Sequence, residues 1–405
     1  MKFLVKRIFV ALVVLASLLV GVPASASGVS WTGTWAASPQ VPNAGFEPNW
    51  SASGFADQTV RQVVRISAGG PLVRIRLSTV YGSGPLALAG ATVGRTSPGA
   101  AVSSVRHLTF SQRRSVVVPA GSEIASDPVA LPVGALSHVT VSLYFATPTG
   151  PATFHSGATA TSYRAAGDHA SDPSAAAFTE TTHSWYFLSG VDVLSLRRDA
   201  VVAFGDSITD GALSSLDADN RYPDELAERL GGRLGVLNEG IGGNRVLNDS
   251  PCFGEAAVRR FARDVLAQPD VRTVIVLEGI NDIHSSEISF ECFVPNPVVS
   301  VAQLIEGHRS LIRQAHARGV RVVGGTVMPY KGSFAYTERG EAVRDGLNAW
   351  IRSSGEYDAV VDFDRAMASS DDPDAMAAAY DSGDHLHPND VGYRAMAEAV
   401  DLRVL

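Results

Sequence analysis

Four short stretches of this 405-residue chain carry the residue types needed to move an acyl group. Ser207 closes Gly205-Asp206-Ser207, just after the run AVVAF. Gly243 and Asn244 close Glu239-Gly240-Ile241-Gly242-Gly243-Asn244, just after GVLN. Asn281 and Asp282 follow TVIVLEG, and Asp384-His385-Leu386-His387-Pro388 follows AVVDF after a loop. A serine hydroxyl is a poor nucleophile until a base takes its proton, so an imidazole must reach it. The imidazole in turn needs a carboxylate that fixes its tautomer and stabilises its protonated form. A tetrahedral intermediate needs donors aimed at the developing oxyanion, and the Ser207 amide, the Gly243 amide and the Asn281 side chain supply three. Glycine suits position 243 because a backbone without Cβ admits a substrate oxygen closely.

Two histidines compete for the role of base. Asp384 and His385 are neighbours, and neighbouring side chains diverge in a helix or a strand. Asp384 and His387 are three apart, so a helical turn or tight loop brings them to one side. The spacing assigns His387 as base and Asp384 as its orienting acid, with His385 as a cleft wall or surface residue. Asn244, Glu278 and His284 are grouped with His385 as cleft residues, and Asp282 reads as structural. A metal set of Asp384, His385, His387 and Asp390 is the competing reading. It would leave Ser207 idle, and the serine chemistry needs no cofactor. No G-x-S-x-G occurs, so the serine does not sit on the elbow of an α/β-hydrolase.

These residues need elements to hold them. From Asp199 onward, short β-rich runs alternate with helix-like stretches: YPDELAERL, GEAAVRRFARDVLA, VAQLIEGHRSLIRQAHARG, ERGEAVRDGLNAWIRSSG and NDVGYRAMAEAV. In the third, Leu304, His308, Leu311, Ile312 and Ala315 share a helical face, and Gly319 is placed to cap its end. Alternating β and α predict a parallel sheet with helices on both sides, and such sheets place active residues at the carboxyl ends of their strands. Residues 27–196 read differently. Val73, Ile75 and Leu77 alternate with Arg74, Arg76 and Ser78, and Val139, Val141, Leu143 and Phe145 repeat the pattern. Period two with Gly/Pro/Ser punctuation predicts half-buried strands in a β-sandwich or jelly roll. The stretch from Ala170 to Thr182 reads as an exposed loop. Trp31, Trp35 and Trp50 either stack on sugar rings or, the stronger reading, anchor the N-terminal segment in the core.

Residues 1–26 read as a secretory signal: Lys2, Lys6 and Arg7, an apolar run from Ile8 to Val20, and an A-x-A site at Ala24-Ser25-Ala26. A retained anchor is the alternative. The chain has 33 basic against 41 acidic residues, a net charge of −8, and loses three cations with the leader. That balance argues against nucleic acid and anionic membrane surfaces as partners. Cys252 and Cys292 are the sole cysteines, and in an oxidising compartment such a pair forms a disulfide. The other histidines, His155 among them, are scattered and default to structural or surface roles.

GDSIT, NEGIGGN, GIND and DHLHP resemble, in order and approximate spacing, the four blocks of the GDSL (SGNH) hydrolases over residues 199–405. Taken residue by residue, the resemblance implies Ser207 as nucleophile and first oxyanion donor, Gly243 and Asn281 as the other donors, and Asp384 and His387 as the rest of a triad. It also implies a flavodoxin-like sheet of five parallel strands over residues 197–405. WTGTWAASPQ and WYFLSGVDV resemble large secreted actinobacterial-type members, similar to the arylesterase/acylhydrolase group attached to xylan-degrading systems. Glu278 departs from the small residue many members carry there. The expectation is a secreted serine esterase cleaving short acyl groups, such as acetyl, from carbohydrate. The alternatives are a lipase or arylesterase, and an inert glycan-binding protein.

Overall fold

The computed structural model describes residues 29–196 and 199–405. The predicted signal at residues 1–26 and the mature start near Ser27 lie outside the described residues, as do residues 197–198 at the predicted junction.

Period-two strands build the N-terminal half into two antiparallel sheets. One has Val29–Ala36, Leu188–Leu196 and Gly70–Ser78 in order, with Glu123–Ala125 and Val129–Val133 both on the last. The other runs Glu180–Thr182, Ser162–Ala166, Gln58–Arg65, His138–Phe145, Gly90–Thr96, Val102–His107. Val73, Ile75 and Leu77 pack with Val139, Val141, Leu143 and Phe145 in one buried apolar core. Trp35 and Trp50 are buried in this core, Trp35 edge-on to Trp185 at 4.8 Å, so both anchor the segment. Trp31 lies under the Arg74 guanidinium at 4.5 Å.

Two expectations need correction. The second face of Gly70–Ser78 is not solvated: Arg76 and Ser78 are buried. Arg76 donates to Gln268 Oε1 (2.5 Å) and pairs with Asp192 at 3.3 Å, because this face meets the C-terminal half. The stretch from Ala170 to Thr182 is not wholly an exposed loop. Phe178 is buried under the Arg61 guanidinium at 3.9 Å, and Glu180–Thr182 adds an edge strand.

The β-rich runs of the C-terminal half become five parallel strands: Ala200–Gly205, Gly235–Gly240, Val271–Leu277, Arg321–Gly325 and Ala359–Val361. Their order is second-first-third-fourth-fifth. This is the flavodoxin-like order that the family resemblance implied, and its switch point lies beside the first strand. All six residues of that strand are buried, as strands covered on both faces must be. The helix Val301–His316 starts with a capping box of Ser300 and Gln303 and buries the predicted stripe. It ends three residues before Gly319, which takes φ +68° in the closing turn instead of capping directly. Asn389 caps the last helix, Asp390–Ala399, accepting from the Gly392 N–H.

The sandwich covers the free edge of the parallel sheet. Gly235–Gly240 pairs with a strand on one side only. On the other, Ser67 Oγ accepts from the Val236 N–H (2.8 Å) and donates to Val236 O (3.1 Å). One side chain thus satisfies backbone groups that a naked edge would leave open.

Cys252 and Cys292 form the expected disulfide, with Cα atoms 5.1 Å apart. It ties the segment after Gly243 to the segment after Asn281 and closes 40 positions of chain. Loop closure of this length stabilises by about 4 kcal/mol. Replacing both cysteines by serine should lower unfolding stability by roughly this amount in a urea melt; an unchanged midpoint would show that packing alone holds the two segments.

Candidate active site

Each strand of the switch region delivers one part of the site. Gly205 ends the first strand against Thr209 and the Leu277 carbonyl, where a Cβ would lie 2.1 and 2.5 Å from Thr209 Oγ1 and Leu277 O. The chain turns at once into the short helix Ser207–Asp210, capped by Asp206, whose carboxylate accepts from the Ile208 N–H (3.0 Å). Ser207 is half-buried while Asp206 and Ile208 are covered. Its N–H opens a helix, where the first amides have no intrahelical acceptor. Burial pushes the Asp206 carboxyl up to about 7.

The hydroxyl and the imidazole meet. Ser207 Oγ lies 2.8 Å from His387 Nε2, and His387 Nδ1 lies 2.6 Å from Asp384 Oδ2. Asp384 Oδ1 also accepts from the N–H groups of His387 (2.8 Å) and Leu386 (2.9 Å). Partial burial pushes the Asp384 carboxyl up, but these hydrogen bonds and the His387 charge outweigh it and hold it well below the ordinary carboxylate range. An ionised Asp384 accepts from Nδ1–H, which leaves the Nε2 lone pair facing the hydroxyl.

His385 has a different partner. Its backbone takes φ +63°, which turns the chain so that His387 returns beside Asp384. Its Nδ1 lies 2.5 Å from Asp381 Oδ2, and its side chain is 52% exposed. The four residues weighed as a metal set do not converge: Asp390 instead accepts from the Ser215 N–H (2.8 Å) and from Asn220 Nδ2 (2.9 Å).

Gly243 follows the second strand in the left-handed region, at φ +73°. A Cβ there would sit 2.4 Å from the Phe253 ring. The backbone angle and the Phe253 ring both call for glycine here, a reason the sequence reading, which invoked a substrate oxygen, did not give. Asp282 fixes the exit of the same loop, accepting from the N–H groups of Val246 (2.6 Å) and Leu247 (3.1 Å), so its structural role stands.

Asn281 lies four positions beyond the third strand. Its Oδ1 is 3.0 Å from His284 Nε2, and its Nδ2 is buried with no partner among the described residues. A buried amide donor left open costs free energy unless something fills it. His284 is buried, and burial, reinforced by repulsion from His387, pulls it down to about 4. A neutral ring that donates from Nε2 holds Asn281 Oδ1 and leaves the Nδ2 hydrogens for another acceptor. His284 therefore supports the site from beneath instead of lining a cleft.

Two more cleft assignments are corrected. Asn244 is buried, donating to Glu255 O (2.8 Å) and accepting from Arg260 Nε (2.8 Å). Glu278 is buried against Arg260 Nη2 at 3.4 Å, and burial beside Asp206 raises its carboxyl well above the usual range. Neither can touch substrate. The residue both report on, Arg260, was not singled out from the sequence. It is 0% exposed, and it also donates to Ser38 Oγ, Glu239 O and Gly205 O. Its signal was present: Arg260 and Asp264 fall on the same face as Ala257, Phe261 and Val265, and charge on an apolar stripe implies a paired core.

The rim is aromatic. Phe46, 74% exposed, stacks on Phe253 (5.5 Å) and Phe290 (6.1 Å), and Phe334, 72% exposed, lies 5.9 Å from His284. A separate cavity of about 460 Å³ opens between the sandwich and residues 217–221, lined by Tyr163, Trp185 and Asp219 among others. It includes neither Ser207 nor His387.

Residues 203–395 match the model of the GDSL-like Lipase/Acylhydrolase family. No curated protein matches the chain. Among solved structures, a G-D-S-L family lipolytic protein from Desulfitobacterium hafniense is 21% identical, covering 51% of this chain and 100% of its own, with a TM-score of 0.40. The aryl esterase of M. smegmatis is 17% identical, covering 50% of this chain and 95% of its own, also at 0.40. An acetyl xylan esterase is 18% identical, covering 49% and 96%, at 0.38. With the blocks GDSIT, NEGIGGN, GIND and DHLHP at the strand ends of a five-stranded parallel sheet, residues 203–395 form a GDSL-like lipase/acylhydrolase domain.

Proposed function

We propose that the protein is a secreted serine esterase that removes short acyl groups, acetyl foremost, from carbohydrate. The observation that carries this reading is the line Ser207 Oγ–His387 Nε2–Asp384, with contacts of 2.8 and 2.6 Å, beside an unpartnered Asn281 Nδ2. Ser207 Oγ attacks the ester carbonyl carbon while its proton passes to His387 Nε2. The carbonyl electrons move onto oxygen, where the amides of Ser207 and Gly243 and the side chain of Asn281 receive them. Collapse breaks the bond to the alcohol, which leaves with the proton from His387. Water then gives its proton to the same imidazole and attacks the acyl carbon; the Ser207 Oγ–acyl bond breaks, the imidazole returns the proton to Ser207 Oγ, and the acid leaves. No step calls for a metal or cofactor.

Secretion is supported by the leader pattern and the disulfide. Among the described residues no helix is long and apolar enough to cross a membrane. Within residues 27–405 the division of labour is a bracing sandwich up to residue 196 and a catalytic unit from 197. Ester substrates on neutral glycans fit a chain of net charge −8. The second reading, aryl or lipid esters, is favoured by the exposed Phe46 and Phe334 at the rim.

Initial rates on acetylated xylan, 4-nitrophenyl acetate and 4-nitrophenyl palmitate separate the two. Acetate release from xylan together with fast cleavage of the acetyl ester and slow cleavage of the palmitate is expected. Preferential palmitate cleavage with no acetate from xylan would overturn the carbohydrate assignment. Ser207→Ala and His387→Ala should each lose at least ~10³-fold in kcat, and Asn281→Ala about 10²-fold. His385→Ala, which removes an exposed ring bonded to Asp381, should stay within about 3-fold of the unmutated enzyme. Near-normal turnover by His387→Ala would reverse the choice between the two histidines.

A further inference from the structure

A buried ion pair joins the sandwich to the turn that carries Ser207. His155 lies on the two-residue strand Phe154–His155, which pairs with Trp185–Tyr186, and its ring stacks on Trp185 at 5.5 Å. His155 Nδ1 is 2.9 Å from Ser38 O, and Nε2 is 3.0 Å from Asp210 Oδ1. A carbonyl oxygen only accepts, and so does an ionised carboxylate. Both ring nitrogens must then carry hydrogen, which makes the ring an imidazolium. Burial pushes His155 down, but the Asp210 charge and the two hydrogen bonds outweigh it and raise it above the ordinary value; Arg221 is the charge that opposes them.

Asp210 stands between the two halves of the proposed oxyanion site. It is the last residue of the turn Ser207–Asp210. Its Oδ2 accepts from the Gly242 N–H at 3.2 Å, one residue before Gly243. The turn and the glycine loop touch without slack: a Cβ on Gly240 would lie 2.3 Å from Asp210 N. On the sandwich side, a Cβ on Gly157 would lie 2.5 Å from Asp210 Oδ2. The carboxylate is thus held by a cation from one half of the molecule and spent on orienting a peptide of the other.

We propose that His155 is a positioning residue for the Ser207 site: through Asp210 it fixes the Ile241–Gly242 peptide, the unit next to the Gly243 amide, so the sandwich is a required part of the esterase. The proposal rests on the serine-esterase reading above, and His155 lies outside the residues 203–395 that match the family. Without the cation, Asp210 becomes a buried carboxylate with too few donors, and it must either take up a proton or turn away. Both weaken its hold on Gly242. The substrate-binding surfaces stay in place, so the loss falls on kcat and not on KM.

The test uses the full-length protein with 4-nitrophenyl acetate, reading kcat, KM and the melting temperature. His155→Ala is expected to lose about 30–100-fold in kcat with KM within about 3-fold, since ångström-scale misplacement of a catalytic donor costs up to ~10²-fold. His155→Gln returns one neutral donor to Asp210 and should recover at least about 5-fold of that loss. Gly157→Ala leaves His155 in place, keeps a backbone outside the left-handed region, and pushes a methyl onto Asp210; it should lose about 10-fold in kcat even if His155→Ala fails to fold. Ser207→Ala is the companion variant. If it is inactive while His155→Ala or a folded Gly157→Ala keeps full kcat, with or without a lower melting temperature, His155 is merely structural and the proposal is overturned. If Ser207→Ala keeps full turnover, the esterase reading itself fails and takes the proposal with it.

Discussion

A hydroxyl and an imidazole separated by 180 positions of chain must stay 2.8 Å apart, and most of the C-terminal architecture follows from that requirement. Parallel strands joined by helical crossovers put every strand's carboxyl end on one edge. The order second-first-third places the Ser207 exit between the exits that lead to Gly243 and Asn281. The imidazole arrives from the far end of the chain, and the last helix locks it there. Tyr393 donates to Ala212 O (2.6 Å), Arg229 donates to Val400 O (2.8 Å), and Arg394 pairs with Glu225. The contact to Ala212 is the telling one, because it fastens the helix after His387 directly to the turn after Ser207.

Beneath the contact lies a polar core that hydrophobic burial alone would not build. Arg260 reaches the first strand at Gly205 O, the second at Glu239 O, the glycine loop at Asn244, and the third strand's end at Glu278. It touches the sandwich at Ser38 and packs on the Phe204 ring at 4.0 Å. Removing one partner from such a buried pair costs about 3–5 kcal/mol, comparable to deleting a large core side chain. Burial raises the Glu239 and Glu278 carboxyls well above the usual range, and the Arg260 guanidinium opposes that rise. The network links three strand ends and the neighbouring sandwich through one guanidinium.

What the sequence disclosed, and what it hid, divides along one physical line. Runs such as AVVAF and TVIVLEG are legible because burial on both faces forces continuous apolar stretches. The choice of His387 over His385 is legible because three-residue spacing is a local geometric fact. Asn244 and Glu278 were misread as cleft residues for the opposite reason. A polar side chain at a strand end looks the same whether it meets substrate or a buried guanidinium, and that partner, Arg260, lies 16 and 18 positions away. The sequence reading of Gly243 missed its contact with Phe253, because that ring returns from ten positions further along the same connection. His155 was invisible altogether: its partner Asp210 belongs to the other half of the molecule, 55 positions on.

The most direct measurement is a crystal structure of the protein inactivated by a 4-nitrophenyl phosphonate ester, whose phosphorus mimics the tetrahedral carbon. The account predicts a covalent bond from Ser207 Oγ to phosphorus, with the phosphoryl oxygen about 2.7–3.1 Å from the Gly243 amide and Asn281 Nδ2. His387 should remain between the adduct and Asp384. Phosphonate on a different side chain, or on Ser207 with its oxygen turned away from both donors, would contradict it.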